Sequence, residues 1–174
     1  QIKSYWDGNN AVCIFYPKSS HSAMPPDIVN GGIIASVIDC HCVCTAIAFA
    51  YKMEGRNIHD GEKIWYATGS LKVKYKKPTP IHNPFTVTAQ IVETIGKKTT
   101  LKAQLLTSNG DITCEAEVVA LRVSSKWTNP DDTLKLANYC FGSPTARQGQ
   151  GSANFLQGRT RVRLITRKAG PGFG

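Results

Sequence analysis

One carboxylate, Asp39, interrupts a run from Ile33 to Tyr51 that is otherwise apolar almost throughout. An acid in such a segment has to be paired, neutralised or used. Asn30-Gly31-Gly32 precedes the run, and these residue types suit a helix start, where the first backbone N–H groups lack an intrahelical partner. The segment therefore offers amide donors at one end and a candidate base two turns later. Donors for a developing oxyanion, with a base that activates water, are the parts of an acyl-transfer site. Asn30 is a good N-cap, and its amide side chain does not titrate, so acid–base work at that position is excluded.

Other reactive side chains lie nearby. Cys40, His41, Cys42 and Cys44 have the residue types of a metal site, but positions two apart on a helix point to different sides and cannot converge on one tetrahedral ion. No metal is expected. The three other cysteines, Cys13, Cys114 and Cys140, are scattered, so no disulfide framework is visible and a reducing compartment fits best. The first residues, Gln1 to Asp7, show neither an apolar signal core nor an Arg/Ser-rich transit pattern, and the expected location is the cytoplasm.

The elements that must position these residues follow from length and pattern. A chain of 174 residues with 41% hydrophobic content suits one domain with a sizeable core. A formal charge of +9 invites a nucleic-acid reading. Fourteen of the 21 basic residues and all 12 acidic ones lie in residues 1–132, so that part carries +2 and residues 133–174 carry the other +7. The body is nearly neutral, and no nucleic-acid partner is expected. The basic segment, rich in Gly, Ser, Gln and Arg, reads as an extension over 124–174 with little to add to a core.

Ala11 to Tyr16 reads as a short strand ended by Pro17, and Ser19 to Val29, with Pro25-Pro26, as an irregular connection. The run to Tyr51 is the long helix. Asp39 and His41 make a bilayer span costly, so it is expected to be a buried helix of a soluble protein with no membrane partner. After the Gly55–Gly61 loop the period changes to two: Leu71-Lys72-Val73-Lys74-Tyr75-Lys76 alternates strictly, as do Phe85 to Ile91 and Leu101 to Leu105, and Ile112 to Val123 is the last strand. Gly96-Lys97 predicts one hairpin, and Asn109-Gly110 a type I′ turn. The order is strand, helix, four strands, with an antiparallel sheet wrapping the apolar helix in an α+β arrangement over residues 1–123.

Gly31-Gly32, Asp39 eight residues after the first glycine, a strand ending in Tyr75-Lys76-Lys77-Pro78, and this order of elements together resemble the hotdog-fold acyl-CoA thioesterases. Within them the sequence is similar to the group related to phenylacetyl-CoA thioesterase. The resemblance covers residues 10–123. It implies that Asp39 is the base or nucleophile, that Gly31, with Gly32, holds the thioester oxygen, and that Thr68, seven residues before the strand-end tyrosine, orients the attacking water. Asn30 stands where the family usually has histidine, and Met24 where it tends to place an amide, with His21 or Ser22 nearby. Asn30, Gly32, Lys74, Lys76 and Lys77 are expected to bind substrate. Lysine side chains would meet the phosphates of coenzyme A, as would those of Lys72, Lys97 and Lys98, with Arg56 a further cation.

Geometry adds a demand. Eight residues at about 1.5 Å rise put Gly31 and Asp39 roughly 12 Å apart, too far for both to touch one carbonyl. The donors of one subunit must meet Asp39 and Thr68 of another, so a homodimer with two composite sites is expected, able to grow to a tetramer. The expected reaction is hydrolysis of an acyl-CoA thioester without a cofactor. A hotdog hydratase or dehydratase, or a non-catalytic acyl-CoA-binding domain, are the alternatives.

Overall fold

The computed structural model describes residues 2–58 and 60–124. The extension expected over 124–174 therefore lies, from residue 125 on, outside the described residues. The strands are β1 (Ser4–Asp7), β2 (Asn10–Phe15), β3 (Trp65–Tyr75), β4 (Phe85–Ile95), β5 (Lys98–Thr107) and β6 (Ile112–Val123), with a single long helix, α1 (Gly31–Met53), between β2 and β3. All pairings are antiparallel, and the sheet runs β1-β2-β4-β5-β6-β3. β1 and β3 are its edges. The expected α+β architecture is present, with one more strand than the sequence predicts. β1 is only four residues long and lacks alternation; the Gly8-Asn9 turn, with Gly8 at φ 61°, folds it back on β2.

The helix lies across one face of the sheet. Ile34, Val37, Ile38, Cys42 and Ala46 pack against Cys13, Val87, Leu101, Leu105, Cys114, Val118 and Ala120, all at most 3% exposed. Burying such side chains contributes about 1.5–3 kcal/mol apiece for the larger ones. Toward the C-terminal end, Ile47, Ala50 and Tyr51 close over Ile64, and the Tyr51 hydroxyl accepts the Ile64 N–H at 3.1 Å. The helix is long and apolar enough to cross a membrane, but half of its most apolar stretch is buried on its own sheet. The opposite side, including Ala35, Ser36, Asp39, Cys40 and Val43, stays at least partly open.

Two turns carry the register. Gly96, at φ 57°, and Lys97 join β4 to β5 as expected. Between β5 and β6 the Gly110 N–H donates to the Thr107 carbonyl at 2.9 Å. The central pair is thus Ser108-Asn109, with the positive φ on Gly110 after it. The expected type I′ turn centred on Asn109-Gly110 is shifted by one residue, because a single glycine that follows the turn absorbs the left-handed conformation.

Candidate active site

The helix start is built as its residue types require. Asn30 is the N-cap, and its Oδ1 accepts the Gly32 N–H at 2.8 Å. The preceding connection, which contains a cis Met24–Pro25 bond, is stitched down on both sides. Asn30 N–H donates to the His21 carbonyl at 2.8 Å, and Val29 N–H to the Thr79 carbonyl at 2.9 Å. Among the described residues the Gly31 N–H makes no hydrogen bond. Of the two glycines, Gly31 keeps a donor for a ligand, whereas the Gly32 donor is taken by Asn30. The Gly32 N–H, expected to share in holding the substrate oxygen, is engaged by the Asn30 side chain within the chain itself.

Two turns on, Asp39 is half-buried and its Oδ1 accepts a hydrogen bond from Thr68 Oγ1 at 2.6 Å. Helix and sheet edge bring these two residues together across 29 positions of sequence. No ion pair among the described residues involves Asp39. A neutral hydroxyl on one oxygen leaves the other available to a water or an electrophilic carbon. His41, the nearest possible partner in sequence, is turned the other way. Its ring is fully buried, with Nδ1 2.8 Å from Ser4 Oγ and Nε2 3.2 Å from the Ala11 carbonyl, and burial pushes its pKa down to about 4. Burial likewise pushes the Cys42 and Cys13 thiols up to about 12, which keeps them protonated and unreactive near neutral pH.

Thr68 reaches Asp39 because β3 is irregular. Residues directly opposite one another in an antiparallel pair share a face. Thr68 faces Ala120, whereas Leu71, Val73 and Tyr75 face Val118, Ala116 and Cys114, and the register slips between Thr68 and Ser70. All four partners belong to the core under the helix. Seven residues of regular strand would have put Thr68 and Tyr75 on opposite faces. The bulge at Gly69 inserts one residue and returns both to the helix side. Glycine is required there, since a Cβ would sit 2.9 Å from the Leu121 side chain and 3.3 Å from the Val119 carbonyl oxygen.

Tyr75 meets the other end of the helix segment. Its hydroxyl donates to the Gly31 carbonyl at 2.6 Å, and a Cβ on Gly31 would meet the tyrosine ring at 3.2 Å. Strand β3 thus touches both halves of the site, Thr68 at Asp39 and Tyr75 at Gly31. The sequence pattern marks Tyr75 only as the end of a strand and assigns no role to it or to Gly69. An isolated glycine between Thr68 and Ser70, just before a strictly alternating strand, is the signal that points to the bulge.

The lysines are placed elsewhere. Lys72 and Lys74 oppose Glu117 and Glu115 on the sheet face away from the helix. There they line a polar groove of about 530 Å³ with Lys102, Gln90 and Gln104. Lys76 pairs with Glu115 at 2.5 Å and Lys77 with Asp111 at 2.9 Å. The structure does not bring Lys74, Lys76 or Lys77 to Asp39 within one chain. Arg56 is turned into its own loop, with Nε donating to Glu54 at 2.9 Å and Nη1 to the Glu62 carbonyl at 3.0 Å. Met24 is 93% exposed. The backbone N–H of Lys18 donates to the His21 ring at 3.1 Å, and that ring packs on Phe15.

No family model and no curated protein sequence matches the chain, but solved structures do. A thioesterase-superfamily protein of Shewanella loihica is 29% identical, over 71% of this chain and 91% of its own, with a TM-score of 0.57. The PaaI protein of the E. coli phenylacetic acid degradation operon is 16% identical, over 70% and 82%, with a TM-score of 0.53. AziG of S. sahachiroi is 17% identical, over 71% and 91%, with a TM-score of 0.56. With its long helix and six-stranded antiparallel sheet, the chain has the hotdog fold of these thioesterase-superfamily structures and is similar to them. That fold supports hydrolysis of acyl thioesters as a class of reaction.

Proposed function

We propose that this protein hydrolyses acyl-CoA thioesters to the free acid and coenzyme A, as a homodimer with two composite sites. The observation that carries the reading is the Asp39–Thr68 contact on the open side of α1, with a Gly31 N–H at the start of the same helix that makes no hydrogen bond among the described residues. Asp39 takes a proton from water, or attacks the thioester carbon itself, while the Thr68 hydroxyl fixes the carboxylate and the nucleophile. The Gly31 N–H carries the partial positive charge of a helix N-terminus and faces the oxygen that becomes an oxyanion. Collapse of the tetrahedral intermediate expels the thiolate, which takes up the proton and leaves as free thiol.

Distance and the surface left uncovered among the described residues support the dimer. Gly31 and Asp39 stand roughly 12 Å apart along α1, so each needs its counterpart from a second chain. Among the described residues β3 is a long edge strand with no strand paired to its outer side, and the helix side beside it is half-open. A second copy set against this edge by a two-fold axis covers both. A cytoplasmic setting suits the substrate and a set of described cysteines that form no disulfide with one another.

The test is release of free thiol across a panel of aliphatic and aromatic acyl-CoA esters. Turnover above the uncatalysed rate for at least one class is expected. A dimeric parent that binds acyl-CoA but releases no thiol from any of them would instead be a binding domain.

A further inference from the structure

We propose that Tyr75 is a positioning residue for the oxyanion-binding amide, fixing the peptide that follows Gly31 from outside the helix. The inference rests on the reading of Gly31 as that donor. The peptide between Gly31 and Gly32 is held at both poles: its N–H donates to Asn30 Oδ1 at 2.8 Å, and its carbonyl accepts the Tyr75 hydroxyl at 2.6 Å. Two glycines in sequence are the most flexible start a helix can have, and a hole that stabilises an oxyanion depends on donors already in place. The two contacts remove that freedom where it matters. With the Gly31–Gly32 peptide fixed, only the φ and ψ torsions of Gly31 separate it from the Gly31 N–H, whose own peptide is held through the Asn30 carbonyl by the Ile34 N–H at 3.1 Å.

The same geometry explains why a glycine and a tyrosine are needed together. A side chain on Gly31 would meet Tyr75 carbon and oxygen atoms at 3.2 Å, so the ring can sit over the first helical residue only if that residue has no Cβ. Glycine makes room for the ring, and the hydroxyl then restores the rigidity that glycine lacks. The bulge at Gly69 belongs to the same device, because it puts Tyr75 and Thr68 on one face of β3. The strand thereby sets both the donor half and the base half of the site. Burial holds the Tyr75 hydroxyl above its ordinary pKa, so it remains a donor through the neutral and mildly alkaline range.

Tyr75→Phe keeps the ring and removes the donor. Expected is a kcat about tenfold lower at a KM within about twofold of the parent, the signature of a contact that matters in the transition state and not in substrate binding. The thermal midpoint stays within about 3 °C of the parent, since one partly exposed hydrogen bond is lost. In amide spectra of the dimeric protein, the Gly31 and Gly32 resonances move and the Gly32 N–H exchanges faster. An unchanged kcat in an active, folded Tyr75→Phe protein overturns the role given to Tyr75 and leaves the hydrolysis standing. Unmoved Gly31 and Gly32 resonances do the same. A parent without thiol release is a different result, which overturns the hydrolysis and this role with it.

Discussion

Asp39 and His41 stand two residues apart on one helix and have opposite surroundings. His41 points into the sheet, has both ring nitrogens engaged, and is fully buried. Asp39 points along the open side, holds one neutral partner and keeps an oxygen to spare. The ring of His41 ties the helix to the β1–β2 hairpin through Ser4 and Ala11, and its chemistry is spent on that tie. Polar groups on the closed side of α1 are satisfied by the chain's own fold, whereas those on the open side are left partly available. Histidine is the commoner catalyst in general, yet on this helix it is the carboxylate that the fold leaves accessible.

The contrast predicts that substitutions on the two sides damage different properties. Asp39→Asn should lower kcat/KM by about 10³-fold with no change in midpoint beyond about 2 °C, as measured by thiol release and thermal unfolding. His41→Leu should do the reverse. Leaving the Ser4 hydroxyl and the Ala11 carbonyl without a partner should cost about 3 kcal/mol in urea unfolding, while kcat per folded molecule stays within about twofold. Loss of activity in a stable His41→Leu protein would break the comparison.

The pH dependence of stability sharpens it. The folded pKa of His41 lies at about 4, below its ordinary 6.5, so between those values the unfolded chain takes up a proton that the folded chain refuses. Stability is complete above pH 6.5 and falls as the pH drops toward 4, by about 3 kcal/mol in all. Urea midpoints of the parent across that window should show the slope, and His41→Leu should show much less of it. The smallest effect belongs to Thr68→Val, which preserves shape and removes the hydroxyl from Asp39. It should lower kcat about tenfold and leave the pH dependence of stability unaltered.

Much of this frame was legible in the residues. The apolar run bounded by Gly31 and the lysine alternation of 71–76 located α1 and the later half of β3, and Asp39 stood out because a carboxylate in such a run demands a reason. The first half of β3 was hidden, since the bulge at Gly69 breaks the two-residue period just where Thr68 needs it broken. β1 was too short to show any period. Alternation says that Lys72, Lys74 and Lys76 share a face, but it does not say that within one chain this face lies away from the helix. Tyr75 and Gly31, 44 positions apart, meet only through the crossing of strand and helix, and no local pattern encodes that crossing.

The central claim is that the two halves of each site come from different chains. Asp39→Asn keeps its Gly31 donor, and Gly31→Pro, which removes that N–H at a first helical position where proline is tolerated, keeps its Asp39 base; each variant alone should be dimeric and inactive. Dissociated, mixed in equal amounts and reassembled, they form hybrids in which one site has an intact Gly31 from one chain and an intact Asp39 from the other. With random pairing, half the dimers are hybrids with one working site of two, so the mixture should recover about a quarter of the parental thioesterase activity. A mixture that forms hybrid dimers and stays at the level of the separate variants would contradict the account.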